Sequence, residues 1–315
     1  MAPIGAQVVT RRSASSAEAQ RSGRRRKRRD LFGALRDPAG GWLGYDGRPT
    51  AVTSFLAYSL QRFGVDHIDI YRPARLDPNV PIEETVRAIA EMIQARSIRY
   101  IGLSEVGPQA IRAAAAVHPI SDLQIEYSPI SRGIEANILA TCRQLGIGIA
   151  AHGVLSRGLI SGHWKQGASS STDFRTRNPR FDLALVEKLR KVADQKGVSV
   201  AQLAIAWVAA QGENTVPLIG ARRRDRLAEA LGALDVTLTR EDMTTIERTV
   251  PKGAAAGAVR LSRWRALQRA ARSQLTRLST GSMRADAAIR PVSRAPRDRL
   301  RSAAAALPAD SLRGG

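Results

Sequence analysis

Polar side chains stand directly after several short apolar runs of this sequence, where they could act together on a polar ligand. Ser104-Glu105 follows one run, Tyr127-Ser128 follows another, and His152 ends a third. In parallel α/β folds, ligands gather at such strand ends. Strand ends are also often polar without binding anything, so the pattern leaves both a ligand site and a solvated edge open.

An arginine-rich segment, 220–226 (GARRRDR), follows the last apolar run and opens a helical pattern. The backbone N–H groups and the dipole of a helix start favour phosphate, and arginine adds to this preference. A solvated, arginine-rich helix start is the alternative reading. We therefore predict a phosphate-binding position at this point of the chain.

Other kinds of chemical site find little support. No metal is expected, because carboxylate or histidine partners at ligand spacing are missing around His67, His118, His152 and His163. Ser156 lacks the Gly-x-Ser-x-Gly context of a hydrolase nucleophile. Cys142 is the single cysteine, which excludes an intramolecular disulfide and favours a reducing compartment.

The elements that must position these residues alternate regularly between strand and helix. Short β-runs are predicted at 31–35, 68–71, 100–104, 123–127, 147–151 and 215–219. Helical patterns are predicted at 55–63, 81–93, 109–117, 134–145, 183–196, 199–210 and 225–231, and another begins with Thr239 as its cap. Six such βα units indicate a parallel sheet. Because no Gly-x-Gly-x-x-Gly follows a strand, a (β/α)8 TIM barrel fits better than a dinucleotide-binding doubly wound sheet.

Several ordered blocks of this sequence resemble the signature set of the aldo-keto reductases. The blocks are 68–71 (IDIY) with Asp77-Pro78, 101–104 (IGLS), 124–128 (QIEYS), 158–162 (GLISG) and 219–223 (IGARR). The resemblance runs from about residue 32 to 257. It implies a (β/α)8 barrel that binds NADPH at the carboxyl ends of its strands and reduces a small aldehyde or ketone by hydride transfer.

The resemblance assigns the nicotinamide end of this cofactor to four residues. Ser104 and Gln124 match the positions whose side chains hold the carboxamide. Glu105 stands where the family more often has Asn. His152 stands where the family usually has a Tyr that stacks on the nicotinamide ring, and an imidazole can stack with less area.

The resemblance also assigns the phosphate and adenosine end. The loop over the pyrophosphate is matched by Leu155, Ser156 and Arg157, and the adenosine end by Arg222, Arg226 and Glu229. Arginine here would pair with a 2′-phosphate, which favours NADPH over NADH. Ala221 replaces a commoner Thr or Ser, so one hydroxyl to that phosphate is missing.

The catalytic residues implied by the family are not matched. The family uses a Tyr acid whose pKa is lowered by a Lys paired to an Asp, and a His that orients the carbonyl. Leu31 stands at the expected Lys position and Ala74 at the expected His position, and no Asp-x-x-x-x-Tyr block precedes residue 32. Arg75, beside Ala74, could polarise a carbonyl. We therefore expect an impaired reductase, with an NADPH-binding pseudoenzyme or a chain that does not fold as alternatives.

Charge divides the chain into three parts. The net charge is +21, but 1–30 carry nine basic and two acidic residues, and 258–315 carry thirteen arginines, no lysine and three acidic residues. We predict two disordered basic flanks, 1–30 and 258–315, around a nearly neutral barrel segment, 31–257, that lacks the first two βα units. The abrupt limits of the resemblance suggest frameshifts at both ends, which translating the neighbouring reading frames would test.

The basic flanks also suggest a function of another class. The run 24–29 (RRRKRR) favours nonspecific contact with nucleic acid or another polyanion. Trp264 is the one aromatic residue in either flank, so stacking on bases is not supported. Neither a signal-peptide pattern nor an apolar run of membrane length is visible, and we expect a cytoplasmic protein without membrane contact.

Overall fold

A six-stranded parallel sheet forms the centre of the structure, a computed structural model that describes residues 28–162 and 183–254. The described strands are β1 (Arg29–Phe32), β2 (Ala34–Arg36), β3 (Trp42–Tyr45), β4 (Ile68–Pro73), β5 (Ile98–Ser104), β6 (Ile120–Glu126), β7 (Gly148–His152) and β8 (Thr215–Pro217). The sheet has the order β1-β4-β5-β6-β7-β8, with all neighbours parallel, and β2 and β3 form a separate antiparallel hairpin.

Helices connect the strands of this sheet. The described helices are α1 (Pro49–Phe63), α2 (Ile82–Gln94), α3 (Pro108–Val117), α4 (Ile138–Gln144), α5 (Leu183–Gln195), α6 (Val200–Ala209), α7 (Arg224–Gly232) and α8 (Arg240–Thr249). Their ends carry recognisable signals. Gly64 ends α1 in the left-handed conformation, and Thr239 opens α8 in a capping box with Asp242. The alternation of strand and helix predicted from the sequence is confirmed, and so is the α/β barrel class.

Two predicted elements are divided in the structure. The run 31–35 is not one strand, because the chain turns at Gly33 (φ +83°) from β1 into the β2–β3 hairpin. A side chain at residue 33 would come 2.6 Å from the backbone oxygen of Asp46, so glycine is required there. The predicted helix 134–145 begins as a 3₁₀ turn, Gly133–Glu135, and continues as α4.

Each outer strand of the sheet pairs with one described strand. Among the described residues, β1 pairs with β4 and β8 pairs with β7, and neither has a second partner. All described residues belong to one compact unit. The predicted flank 258–315 lies outside the described residues, as does 1–27, whereas Arg29 and Asp30 already belong to β1. The domain boundaries, the missing βα units and polyanion binding by the flanks stay predictions.

The two faces of the sheet differ in character. Tyr71 stacks on Phe32 at 4.5 Å and donates a hydrogen bond from its hydroxyl to the backbone oxygen of Val52 in α1, so this face packs against helices. Side chains alternate along a strand, and Arg72 therefore points to the opposite face. There it pairs with Asp122 of β6, and both side chains are buried.

Two other features are absent from the described residues. No described helix is long and apolar enough to cross a membrane. Within 28–162 and 183–254, no group of three or more His, Cys, Asp or Glu residues could hold a metal ion.

Candidate functional site

The candidate site lies at the carboxyl edge of the sheet, by which we mean the C-terminal ends of β4 to β8 and the loops that follow them. Ser104, the last residue of β5, is opposite Gln124 of β6 in the strand register. His152, the last residue of β7, is opposite Glu126 of β6. Because the strands are parallel, their ends meet at one edge, and three of the residues predicted from the sequence lie on adjacent strands there.

A hydrogen bond between Glu105 and His152 joins the ends of β5 and β7. Nε2 of His152 lies 2.5 Å from Oε1 of Glu105, and the same oxygen accepts a hydrogen bond from the backbone N–H of Glu126 at 2.9 Å. The backbone N–H of Glu105 donates to the backbone oxygen of Gln124 at 2.9 Å. Glu105 has φ +55°, an unusual value for a residue with a side chain, which these contacts support.

The same contacts decide the charge of Glu105. Burial acts to raise the pKa of this carboxyl group, but the hydrogen bond from His152 and the charges of His152 and Arg75 outweigh it. The pKa of Glu105 is therefore lowered from its ordinary value, and the group is a carboxylate at neutral pH. The family resemblance assigned Glu105 and His152 to the nicotinamide end as two separate residues. Nothing in the sequence predicted that they contact each other.

Arg75 turns toward this edge from the loop after β4. Its Nη1 donates to Oγ of Ser104 at 3.3 Å and to the backbone oxygen of Ala74 at 2.5 Å. The side chain is half-buried. The sequence could not give the direction of this arginine, and the structure brings its guanidinium beside Ser104.

Leu31 and Ala74, which stand at the positions of the family's Lys and His, lie on β1 and directly after its neighbour β4. Leu31 pairs with Arg72 in the register of β1 and β4, and its side chain is 39% exposed. The backbone N–H of Ala74 donates to the backbone oxygen of Phe32 at 2.8 Å. Both side chains are hydrocarbon, so neither position can donate a proton.

The loop after β7 contains three more of the predicted residues. Ser156 has φ +47° and opens the 3₁₀ turn Ser156–Gly158, directly after the half-buried Leu155. Its hydroxyl lies 3.2 Å from the hydroxyl of Ser128, which follows β6. Arg157 belongs to the same turn, and its side chain lies outside the described part of the structure.

The last βα-loop carries the arginines predicted to bind phosphate. Arg223 pairs with Asp225 at 2.7 Å, and Nη1 of Arg226 pairs with Oε2 of Glu229 at 3.1 Å along α7. Arg222 is exposed, and within the described residues it forms no ion pair. Of the predicted adenosine residues, Arg222 therefore carries the guanidinium that is most available to a ligand, whereas Arg226 and Glu229 neutralise each other in part.

A second cluster, which the sequence did not indicate, fixes the chain just after β6. The backbone N–H of Tyr127 donates to the backbone oxygen of His152, and its hydroxyl donates to Oε1 of Glu135 at 2.9 Å. Arg132 also donates to Glu135, at 2.7 Å, and lies over the buried ring of Trp207. Burial, reinforced by the charge of Glu135, raises the pKa of the Tyr127 phenol. The phenol therefore stays protonated and serves this cluster as a donor.

Known proteins with similar sequences include aldo-keto reductases. The family model described as Aldo/keto reductase family matches residues 12–250. A probable aldo-keto reductase 1 of Glycine max is 38% identical over 219 residues, which cover 67% of this chain and 63% of the relative. An aldo-keto reductase of Strobilurus tenacellus is 37% identical over 236 residues, which cover 70% of this chain and 69% of the relative. The chain thus spans less than two thirds of the length of the Glycine max protein.

A solved structure with a similar fold supports the same family. A glycerol dehydrogenase from Gluconobacter oxydans has a TM-score of 0.67 and 25% identity, and the match covers 72% of each chain. The family model covers more than half of this chain and includes every described strand. Together with the parallel sheet and the order of the motifs, these similarities show that the chain belongs to the aldo/keto reductase family of oxidoreductases.

Proposed function

We propose that this chain binds NADPH along the carboxyl edge and reduces a carbonyl compound with much impaired activity. The observation that supports it best is the register of β5 and β6, which sets Ser104 opposite Gln124. These are the two residues that the family resemblance assigns to the nicotinamide carboxamide. A hydroxyl and an amide supply both donors and acceptors, which a carboxamide needs.

The residues assigned to the nicotinamide end suit a carboxamide, with one difference from the usual family residues. Glu105 replaces a side-chain amide, and as a carboxylate it can accept a hydrogen bond but cannot donate one. Its Oε1 is held by His152 and by the N–H of Glu126, which leaves Oε2 for the N–H₂ of a carboxamide. His152 is anchored through Nε2, so its ring orientation is fixed before a cofactor arrives.

The phosphate end is supported by the charge of the last βα-loop. Arg222 is exposed and has no ion-pair partner among the described residues, so its guanidinium can take a 2′-phosphate. Arg226 and Glu229 would lie beside the adenosine, and the turn of Leu155, Ser156 and Arg157 would cover the pyrophosphate. This arrangement favours NADPH over NADH.

The proposed impairment follows from the two hydrocarbon side chains. A bound reduced nicotinamide supplies a hydride, and the protein must provide a proton to the carbonyl oxygen. Leu31 and Ala74 cannot supply or orient one. Arg75 lies close by, but a guanidinium keeps its proton at physiological pH. Loss of a positioned acid costs about 10²–10⁴ in rate.

We also propose that the protein works in the cytoplasm. Its single cysteine, Cys142, is buried, and burial raises the pKa of this thiol to about 11. A thiol in this state is inert and needs no disulfide partner, which suits a reducing compartment.

A fluorescence titration of the full chain with NADPH and with NADH tests the proposal. We expect saturable binding with a preference for NADPH, followed by slow loss of nicotinamide absorbance when an aldehyde or ketone is added. Absence of NADPH binding would refute the cofactor assignment. Turnover in the ordinary enzyme range, about 1–10³ s⁻¹, would refute the impairment.

A further inference from the structure

Arg75 is a half-buried cation whose hydrogen-bonding capacity is mostly unused. A guanidinium has five N–H donors, and the two hydrogen bonds of Arg75, to Ser104 and to the backbone oxygen of Ala74, are both made by Nη1. Among the described residues, Nε and Nη2 of Arg75 make no hydrogen bond. The two contacts fix the plane of the guanidinium and leave its other donors for a ligand.

The acidic groups near Arg75 are committed to other partners. The charge of Arg75 helps to lower the pKa of Glu105, but no hydrogen bond or ion pair is formed between them, and Oε1 of Glu105 is held by His152 and by the N–H of Glu126. Asp77, two residues along the same loop, accepts hydrogen bonds from the backbone N–H groups of Gly47 and Asn79. Within the described chain, Arg75 forms no ion pair. A partly desolvated guanidinium without a carboxylate partner has a strong preference for an anion.

The neighbours of Arg75 indicate where that anion would lie. Ser104 accepts a hydrogen bond from Arg75 and keeps its own hydroxyl proton for the proposed carboxamide contact. Ala74, at the position where the family orients the carbonyl oxygen, directly precedes Arg75 and is small. A ligand anion on Arg75 would therefore lie beside Ser104, at the end of the site that we propose for the nicotinamide and the carbonyl.

We propose that Arg75 binds the carboxylate of the substrate, and that the substrate class is a 2-oxo acid. In such a compound the carboxylate and the carbonyl are on neighbouring carbon atoms, so a carboxylate held by Arg75 keeps the carbonyl close to Ser104, which Arg75 contacts. The remaining Nε and Nη2 donors can hold both carboxylate oxygens, a geometry that arginine favours. The inference rests on the proposed function for its reaction, but the anion site can be measured without turnover.

Calorimetric titration with two unreactive probes tests the inference. Oxamate carries a carboxylate next to its carbonyl, and ethyl oxamate is its uncharged ester. With the full chain in the presence of NADPH, we expect oxamate to bind at least about tenfold more tightly than ethyl oxamate. Arg75→Gln should remove this preference and leave ethyl oxamate unchanged, whereas Arg75→Lys should keep part of it.

The matched control is Arg87→Gln, which removes an arginine from the exposed face of α2 and should keep the full preference. Circular dichroism and thermal melting check that each variant folds. The inference fails if oxamate does not bind, if both probes bind equally, or if Arg75→Gln leaves the preference intact. It also fails if inorganic phosphate binds to Arg75 as tightly as oxamate, because the site would then suit a cofactor phosphate.

Separate titrations distinguish this inference from the proposed function. NADPH binding without any Arg75-dependent binding of oxamate would overturn the substrate class and leave the cofactor assignment standing. Arg75-dependent binding of oxamate to a chain that does not bind NADPH would support the anion site and overturn the proposed function.

Discussion

Arg72 of β4 and Asp122 of β6 form an ion pair across the strand that separates them. Nε of Arg72 donates to Oδ1 of Asp122 at 3.1 Å, and Nη2 donates to Oδ2. The intervening residue of β5 is Gly102, which is opposite Asp122 in the register. The absence of a side chain at Gly102 lets a guanidinium span two strand spacings, so this pair depends on three strands at once.

Gly102→Ala should destabilise the protein through this pair. A methyl group there would lie 2.5 Å from both Nε of Arg72 and Oδ1 of Asp122. The pair must then separate inside the protein, where an unpaired charge is costly. We expect a loss of about 2–4 kcal/mol in the free energy of unfolding, measured by urea denaturation.

Gly220→Ala is the control for this change. Gly220 has open space around its α-carbon and no left-handed backbone, so the same substitution should cost less than about 0.5 kcal/mol. Equal stabilities of the two variants would show that the chain around Gly102 relaxes without breaking the pair.

Glu105→Gln should lower stability in a manner that depends on pH. The folded pKa of Glu105 is below its ordinary value of 4.5, so its carboxylate stabilises the native state above that pH. This contribution is lost as the pH falls through the lowered folded pKa and the group becomes protonated. We expect the variant to be about 1.5 kcal/mol less stable near neutral pH, and the difference from wild type to shrink in acid.

Urea denaturation of both proteins across this pH range provides the measurement. Glu187→Gln, which removes an exposed carboxylate from α5, is the control and should show little difference at any pH. A stability difference for Glu105→Gln that stays constant into acid would contradict the assigned role of the carboxylate.

Tyr127→Phe should cost about 1–2 kcal/mol, because it removes one buried hydrogen bond and keeps the packed ring. The hydroxyl donates to Glu135, while the ring lies 5.3 Å from the ring of Trp207. Tyr58→Phe is the control, since Tyr58 is 71% exposed on α1. Thermal melting that gave the same shift for both variants would show that the Glu135 contact contributes nothing to stability.

Most of the fold could be predicted from local patterns. The spacing of apolar residues and the signals at Gly64 and Thr239 predicted most helix limits within a few residues, although α1 begins at Pro49 and was predicted to begin at residue 55. The division at Gly33 was missed, because a short apolar run looks alike whether it pairs with a parallel strand or folds back as a hairpin. Pairing partners depend on distant segments, which periodicity does not report.

The site was predictable in its positions but not in its contacts. Strand ends could be read from the sequence, so Ser104, Gln124 and His152 were located correctly on adjacent strands. The directions of Arg75 and Glu105 were not predictable, since each depends on strand register and backbone conformation. The left-handed conformation of Glu105, for example, has no composition signal, although it aims the carboxylate at His152.

Arg222→Gln tests whether the last βα-loop binds the 2′-phosphate of the cofactor. This arginine is exposed and forms no ion pair within the described chain, so its whole charge is available to a phosphate. We expect the dissociation constant for NADPH to rise about tenfold, with little change for NADH, which lacks that phosphate. The neighbouring Arg223→Gln is a matched control, because Arg223 is paired with Asp225 and should affect both cofactors weakly. Equal weakening of NADPH and NADH by Arg222→Gln would place this arginine at the pyrophosphate instead, and the preference for NADPH would then need another residue.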